Sequence, residues 1–274
     1  MGERALSTAE LKATWNQMSD WYETHALQYT TKIFTSLLPF LHLDTAHSIC
    51  EVGSGPGNGI PLLLSSSPTA QISASDLSDS FVFKIASKSF PRTQVIVADN
   101  EHLPYSDSQF DRYIANLSLM IVESPSQMLA EAYRVLQPGG LAAFSVWAKK
   151  EDCTLFSIPE RALKRMGVAA PKKNVRSKYH LADESRLKTL IRTAGFERVI
   201  TYQEISAVPS LDEDYFFSYY TTRADLGTES LGILGEDGWR RYQEALREEL
   251  RHVFNDQEVP IIFQTINVIC RKPS

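Results

Sequence analysis

Cysteine is scarce. Cys50, Cys153 and Cys270 are odd in number and far apart in a chain of 274 residues, which excludes a disulfide-stapled fold and suits a reducing compartment. Long apolar runs are missing too. The longest, Leu141 to Ala148, is broken by a serine and falls far short of the about 20 residues that cross a bilayer. The N-terminus, Met1-Gly2-Glu3-Arg4, has no basic-then-apolar leader pattern, so export is not expected and the expected location is the cytoplasm. A basic excess is also absent: 28 Lys and Arg stand against 33 Asp and Glu, a formal charge of −5, which argues against a nucleic-acid partner. Six histidines, at 25, 42, 47, 102, 180 and 252, show no ligand spacing with one another or with the cysteines, so no metal is expected. No repeat and no low-complexity block occurs. With 43% hydrophobic and 22% charged residues, a globular chain of one or two domains remains.

Ser7-Thr8-Ala9-Glu10 has the spacing of a helix capping box. Behind it Leu11, Trp15, Met18 and Tyr22 fall on one helical face, and Ile33, Phe34, Leu37, Leu38 and Leu41 form a second helical run. From His47 strands alternate with helices. The strands are expected at Ser48 to Val52, Ala70 to Ser75, Gln94 to Ala98, Phe110 to Ala115 and Gly140 to Trp147, with helices at Asp79 to Ser89 and Ser126 to Leu136 between them. That alternation predicts βαβ units and a parallel sheet. Residues 149–182, with Pro159, Pro171 and a basic stretch, read as an inserted cap with its own helix, Ser157 to Met166. A helix from Asp183 to Ala194 and a strand from Arg198 to Ile205 follow. An aromatic and helical cap segment (208–258) then leads to a last strand, Ile261 to Cys270.

The most informative stretch is Glu51-Val52-Gly53-Ser54-Gly55-Pro56-Gly57-Asn58-Gly59, between a buried strand and a short helix. Glycines let the backbone turn sharply and admit a ligand where a Cβ would intrude. The helix beyond offers unpaired amides to an anionic group. The dinucleotide fingerprint G-x-G-x-x-G fails in both registers, since its third glycine falls on Asn58 or Ile60; no G-x-x-x-x-G-K-[ST] loop exists either. Asp76, 19 residues after Gly57 at the end of the second strand, can accept both hydroxyls of a ribose or cap the next helix, a role Ser78 or Asp79 could take. Asp99 ends the third strand beside the same crevice, where ligand contact competes with a turn-starting role.

Asp99-Asn100-Glu101-His102-Leu103-Pro104-Tyr105 through Phe110-Asp111 resembles the "DAExLPF…FD" block of class I S-adenosylmethionine-dependent methyltransferases. Glu131 through Arg134-Val135-Leu136-Gln137-Pro138-Gly139-Gly140 is similar to the "E..RVLKPGG" element of that superfamily, and Glu51 to Gly57 resembles its nucleotide loop. The most similar group is the ubiquinone-biosynthesis-like small-molecule methyltransferases, often called type 11. The resemblance is specific over residues 47–148 and looser to 205.

It implies an α/β fold: a Rossmann-like, seven-stranded, mostly parallel sheet with an antiparallel last strand. Residues 1–46 would be a helical lid, 47–148 the cofactor-binding core and 183–274 the remainder of that core. S-adenosyl-L-methionine would be the cofactor. Glu51, Gly53, Ser54, Gly55 and Gly57 would hold its methionine part, Asp76 the ribose, and Leu77, Asp99 and Asn100 the adenine. Asn116 and Leu117 would line the sulfonium side. Relatives carry Leu-His-His after the fourth strand where this chain has Asn116-Leu117-Ser118-Leu119-Met120, so no acid or base carries over to that place.

The implied reaction is methyl transfer to O, N or S of a small, partly apolar acceptor. A cofactor-binding regulatory module without transferase activity is the alternative. Tyr22, His25 and Tyr29 recur at helical spacing as candidates for acceptor chemistry, against a plain packing stripe for the tyrosines and a structural role for the histidine. Trp21, Tyr22, His180, Phe216, Tyr219 and Tyr220 are candidates for acceptor binding, with core packing as the competing role of the last three. The basic residues Lys172, Lys173, Arg176 and Lys178 read as a solvated loop or as a lid edge steering an anionic acceptor. Oligomeric state is not readable from these features.

Overall fold

The computed structural model describes residues 3–169, 175–208, 212–222, 224–256 and 261–274, with backbone alone for 224–233 and for 255–256. Ser7 caps α1 (Thr8–His25): Glu10 N–H donates to its Oγ, and Ser7 N–H donates back to the Glu10 carboxylate at 2.8 Å. The capping box is therefore real, and Arg4 adds an ion pair to Glu10 at 2.6 Å. At Ala26 the chain breaks into α2 (Leu27–Leu37), which buries Ile33, Phe34 and Leu37 against the sheet.

Five strands follow in βαβ order: β1 (Ser48–Val52), β2 (Gln71–Asp76), β3 (Thr93–Val97), β4 (Phe110–Asn116) and β5 (Leu136–Trp147), with α3 (Gly59–Ser66), α4 (Asp79–Ser87) and α5 (Pro125–Val135) between them. Beyond α6 (Thr154–Arg165) and α7 (Glu184–Thr193) come β6 (Glu197–Ala207), α8 (Glu213–Thr221), α9 (Ala224–Arg251, broken at Gly235) and β7 (Ile262–Arg271). The sheet order is β3-β2-β1-β4-β5-β7-β6, with β7 antiparallel to both neighbours and the other adjacent pairs parallel. The expected seven-stranded, mostly parallel sheet with an antiparallel last strand is what forms.

Two details differ from expectation. The Gln137-Pro138-Gly139-Gly140 stretch does not stand between helix and strand; β5 starts at Leu136. Gly139, at φ +77°, donates to the Lys272 carbonyl, and Lys272 N–H donates to the Gly140 carbonyl, so the chain end supplies pairing that the proline cannot. α6 starts at Thr154 rather than at the expected Ser157, which sets Pro159 a full turn inside the helix. A proline there leaves the carbonyl of Leu155 without its helical donor. The Tyr220 hydroxyl replaces it at 2.6 Å.

No helix among the described residues is long and apolar enough to cross a membrane. In a parallel sheet flanked by helices, ligands lie beyond the carboxyl ends of the strands, where the strand order reverses. Here that point lies between β1 and β4, and the chain folds α1 and α2 over it.

Candidate functional site

Two cavities open at the carboxyl ends of β1, β2 and β4. The larger, about 650 Å3, lies beside Asp76, Leu77, Asp99 and Asn100, with Leu11, Trp15 and Phe81 as apolar walls. The smaller, about 390 Å3, lies beside Glu51, Ser54, Asn58, Thr30 and Phe34. Tyr22, Gly53, Gly55 and Asn116 line both, and so mark their junction. Gly53 is needed there: its φ is +61°, and a Cβ would stand 3.0 Å from Ser118 Cβ.

The loop spends several of its own amides internally. Ser54 N–H donates to the Ser75 carbonyl at 3.0 Å, Gly57 N–H to the Ser54 carbonyl at 3.0 Å, and Gly55 N–H to Asp76 Oδ2 at 2.9 Å. Asp76 Oδ1 accepts Ser78 N–H at 2.9 Å, so this carboxylate ties the glycine loop to the start of α4. Capping of α4 falls to Ser78, whose Oγ accepts Phe81 N–H. Burial pushes the Asp76 carboxyl up to about 6, against the pull of the backbone amides it accepts.

Glu51 is more extreme. It is 3% exposed, and its Oε2 is buried with no hydrogen-bond partner. Burial first, and the nearby Asp76 second, push its carboxyl up to about 8. A buried carboxyl with no cation beside it favours its neutral form. Asn100 Oδ1 and Ser118 Oγ are likewise buried without partners, at the wall of the larger cavity. Asp99 Oδ1 accepts Glu101 N–H at 2.9 Å, and Thr8 Oγ1 approaches Oδ2 at 3.4 Å.

Ten of the eleven residues expected to hold a cofactor line one cavity or both: Glu51, Gly53, Ser54, Gly55, Asp76, Leu77, Asp99, Asn100, Asn116 and Leu117. Gly57 lines neither. A Cβ on it would stand 2.9 Å from Ile85, at φ +85°, so this glycine serves close packing of the loop on α4.

The aromatic expectations need more correction. Phe216, Tyr219 and Tyr220 are at most 1% exposed and line neither cavity. Tyr220 satisfies the α6 carbonyl, and the Tyr219 hydroxyl meets that of Tyr29 at 3.1 Å, which takes Tyr29 out of the site as well. Trp21 packs edge-on against Tyr219 and stacks on His25, and the His25 ring is held at Trp21 O. His180 rests its Nδ1 on Ser177 O, away from both cavities. Of the six acceptor-binding candidates only Tyr22 lines a cavity. Burial raises its hydroxyl to about 12, which keeps it neutral at physiological pH.

Lys172 and Lys173 lie outside the described residues. Arg176 donates to the carbonyls of Val122 and Glu123, and the Lys178 ammonium lies 3.5 Å from the centre of the Phe156 ring. Neither is a free charge at a lid edge.

Residues overlooked in the sequence are Trp15 and Phe81, which meet Tyr22 edge to face with centroids 5.8 Å (Trp15) and 5.6 Å (Phe81) away, and Ile121 and Val122 in the wall opposite. The Leu11–Trp15–Tyr22 face of α1 carried a signal. The other three positions follow only from the folded sheet.

A glycine loop after β1, acidic residues at the ends of β2 and β3, and a sheet whose last strand is antiparallel together define a nucleoside-binding Rossmann-like site. Residues 50–144 match the family model described as a methyltransferase domain. Over that stretch the chain is similar to the class I S-adenosylmethionine-dependent methyltransferases of the type 11 group, whose cofactor is S-adenosylmethionine. Among curated relatives, malonyl-[acyl-carrier protein] O-methyltransferase of Marinomonas sp. is 30% identical over 140 residues, 50% of this chain; the match spans 51% of that protein, about half its length.

Among solved structures the [4+2]-cyclase SpnF has a TM-score of 0.60 at 17% identity, covering 100% of this chain and 99% of that one. Phosphoethanolamine N-methyltransferase 2 of Haemonchus contortus, solved with S-adenosylhomocysteine, has a TM-score of 0.57 at 13% identity, covering 98% and 61%. At such identities the likeness is one of fold alone.

The residues fit the cofactor. The unpartnered Glu51 carboxyl lies in the smaller cavity, as an ammonium site requires, and Asp76 and Asn100 lie in the larger, where a nucleoside has apolar walls.

Proposed function

We propose that this chain transfers a methyl group from S-adenosylmethionine to O, N or S of a small, partly apolar acceptor. The observation that carries this reading is the junction: a larger cavity beside Asp76 and a smaller one beside Glu51 meet at Gly53, Gly55, Tyr22 and Asn116, with a buried carboxyl in each. In it Glu51 receives the ammonium, with Gly53, Ser54 and Gly55 along the methionine chain. Asp76 receives the ribose hydroxyls, Leu77, Asp99 and Asn100 the adenine, and Asn116 and Leu117 the sulfonium end. Residues 1–46 act as a lid, because Leu11, Trp15 and Tyr22 of α1 close the larger cavity. α8 braces that lid, with the Tyr215 hydroxyl donating to the His25 carbonyl of α1 and the Tyr220 hydroxyl to the Leu155 carbonyl of α6. A cytoplasmic location accords with three unpaired buried cysteines, and nothing in the charge balance favours nucleic acid.

The cofactor, when bound, supplies a methyl already activated by the positive sulfur. The protein's work is to orient the acceptor and exclude water, and such orientation supplies up to ~10 kcal/mol. A general base adds about 10²–10⁴-fold where the acceptor carries a proton. His25 and Tyr29 lie outside the cavities and Tyr22 stays neutral, so none of the three fills that role.

Asp76→Ala is expected to weaken S-adenosylmethionine binding by about 1–3 kcal/mol, the scale of a lost charged hydrogen bond, hence about 5- to 150-fold. Calorimetry showing wild-type affinity in that variant would remove Asp76 from the site. Transfer of labelled methyl groups into a metabolite extract tests the reaction itself. Binding without transfer into any fraction would leave the regulatory module as the reading.

A further inference from the structure

β4 and β5 carry two polar side chains in an otherwise apolar stretch, and they sit side by side: Asn116 pairs in register with Ser145. Ser145 is fully buried. Leu117 N–H donates both to the Ser145 Oγ at 2.9 Å and to the Ser145 backbone carbonyl at 3.1 Å, and the Ser145 hydroxyl donates to Asn116 Oδ1 at 2.7 Å. Asn116 Nδ2 donates in turn to the Thr30 carbonyl of α2 at 3.0 Å.

The direction of this chain is forced. The Thr30 carbonyl can take only the amide nitrogen of Asn116, which leaves the amide oxygen facing Ser145, where the hydroxyl donates to it. Asn116 is thereby held in one orientation at the junction of the two cavities. Leu117 beside it has φ +54°, a left-handed conformation that is strained for a branched apolar residue and that persists only where neighbours impose it. A strained residue and a fixed amide dipole at one point of a cavity wall go beyond what packing there requires.

We propose that Ser145 is a positioning residue that orients Asn116 and Leu117 toward the charged sulfur centre, so that the site distinguishes the methylated cofactor from its demethylated product. This rests on the cofactor placement proposed above. Ser145 touches no ligand in it. An amide held at both ends presents a constant dipole to the junction, whereas one held at Thr30 alone swings about that single bond, weakens that dipole on average and treats a cationic sulfonium and a neutral thioether more alike.

The test is calorimetric and needs no acceptor. Dissociation constants for S-adenosylmethionine, S-adenosylhomocysteine and adenosine are measured on the wild-type protein and on Ser145→Ala. The ratio of the first two is expected to move by at least fivefold, with adenosine affinity held within twofold and the melting temperature recorded alongside. Ser145→Cys, which keeps the volume with a far weaker hydrogen-bonding group, is expected to move the ratio in the same direction and serves if the alanine variant does not fold. A ratio unmoved in either folded variant overturns the proposal and leaves the cofactor placement standing. Equal weakening of all three ligands overturns it too, since that is the mark of a general loss of structure. A wild-type protein that binds none of the three overturns the placement and the proposal together.

Discussion

Gly59→Ala lowers the stability of the protein by about 1–3 kcal/mol, the cost of overpacking a filled interior. For a chain of this size that is a drop in melting temperature of about 2–6 °C. Helix propensity alone predicts the reverse, because alanine is favoured over glycine within a helix by about 1 kcal/mol. The local geometry decides. Gly59 opens α3, and a Cβ there would meet Glu51 Oε1 and lie 2.6 Å from Phe34 Cζ, both on side chains only 3% exposed. Both side chains line the smaller cavity, so the added methyl pushes the Phe34 ring and the Glu51 carboxyl toward it and out of their present packing. Differential scanning calorimetry checks it. A melting temperature equal to or above wild type would show that the two side chains shift at no cost. The same substitution is expected to weaken ligand binding, since the displaced carboxyl is the one assigned to the ammonium.

The second large effect is on pH dependence. Ligand-free, the Glu51 carboxyl is raised to about 8, so it carries a proton at pH 7; a bound ammonium removes the reason for that proton. Binding at neutral pH therefore releases protons, and affinity climbs by up to about tenfold per pH unit between roughly 6 and 8. Above about 8 the ligand's own α-amino group loses its charge, which reverses the trend. Calorimetry at pH 7 in two buffers of different ionisation enthalpy counts the protons directly. Glu51→Gln should flatten the rise and abolish the buffer dependence; an unchanged rise would place the titrating group elsewhere.

The linked effect on folding has the opposite sign. The folded pKa lies above the ordinary 4.5, so the contribution of this group to stability is complete below that value and is lost as pH rises through about 8. Ligand-free protein is thus expected to melt lower at pH 8 than at pH 6, with the gap narrowed by Glu51→Gln.

Much of the sheet was legible because buried parallel strands and their helices alternate so regularly: β1 was expected at Ser48 to Val52 and occupies those residues. The capping box at Ser7 was legible for a similar reason, since it is a local arrangement of four residues. What failed was non-local. The first turn of α6 went unseen, because a proline near Ser157 suits a helix start and nothing local shows that Tyr220 takes up the carbonyl it orphans. Phe216, Tyr219 and Tyr220 read equally as pocket wall or core, because an aromatic run carries no sign of which side it faces. Gly57 looked like its neighbours Gly53 and Gly55, and only the approach of Ile85 separates it from them. Ser145 gave no signal at all, a single hydroxyl in a strand whose meaning depends on the strand beside it.

The hydroxyl of Tyr220 at Leu155 also makes α6 and α8 a matched pair. A proline in one helix and a tyrosine more than sixty positions later are complementary parts of a single joint, so either is a defect without the other. Grafting the inserted cap from this chain onto a relative, or trimming the C-terminal segment to shrink the protein, would therefore have to move both pieces together.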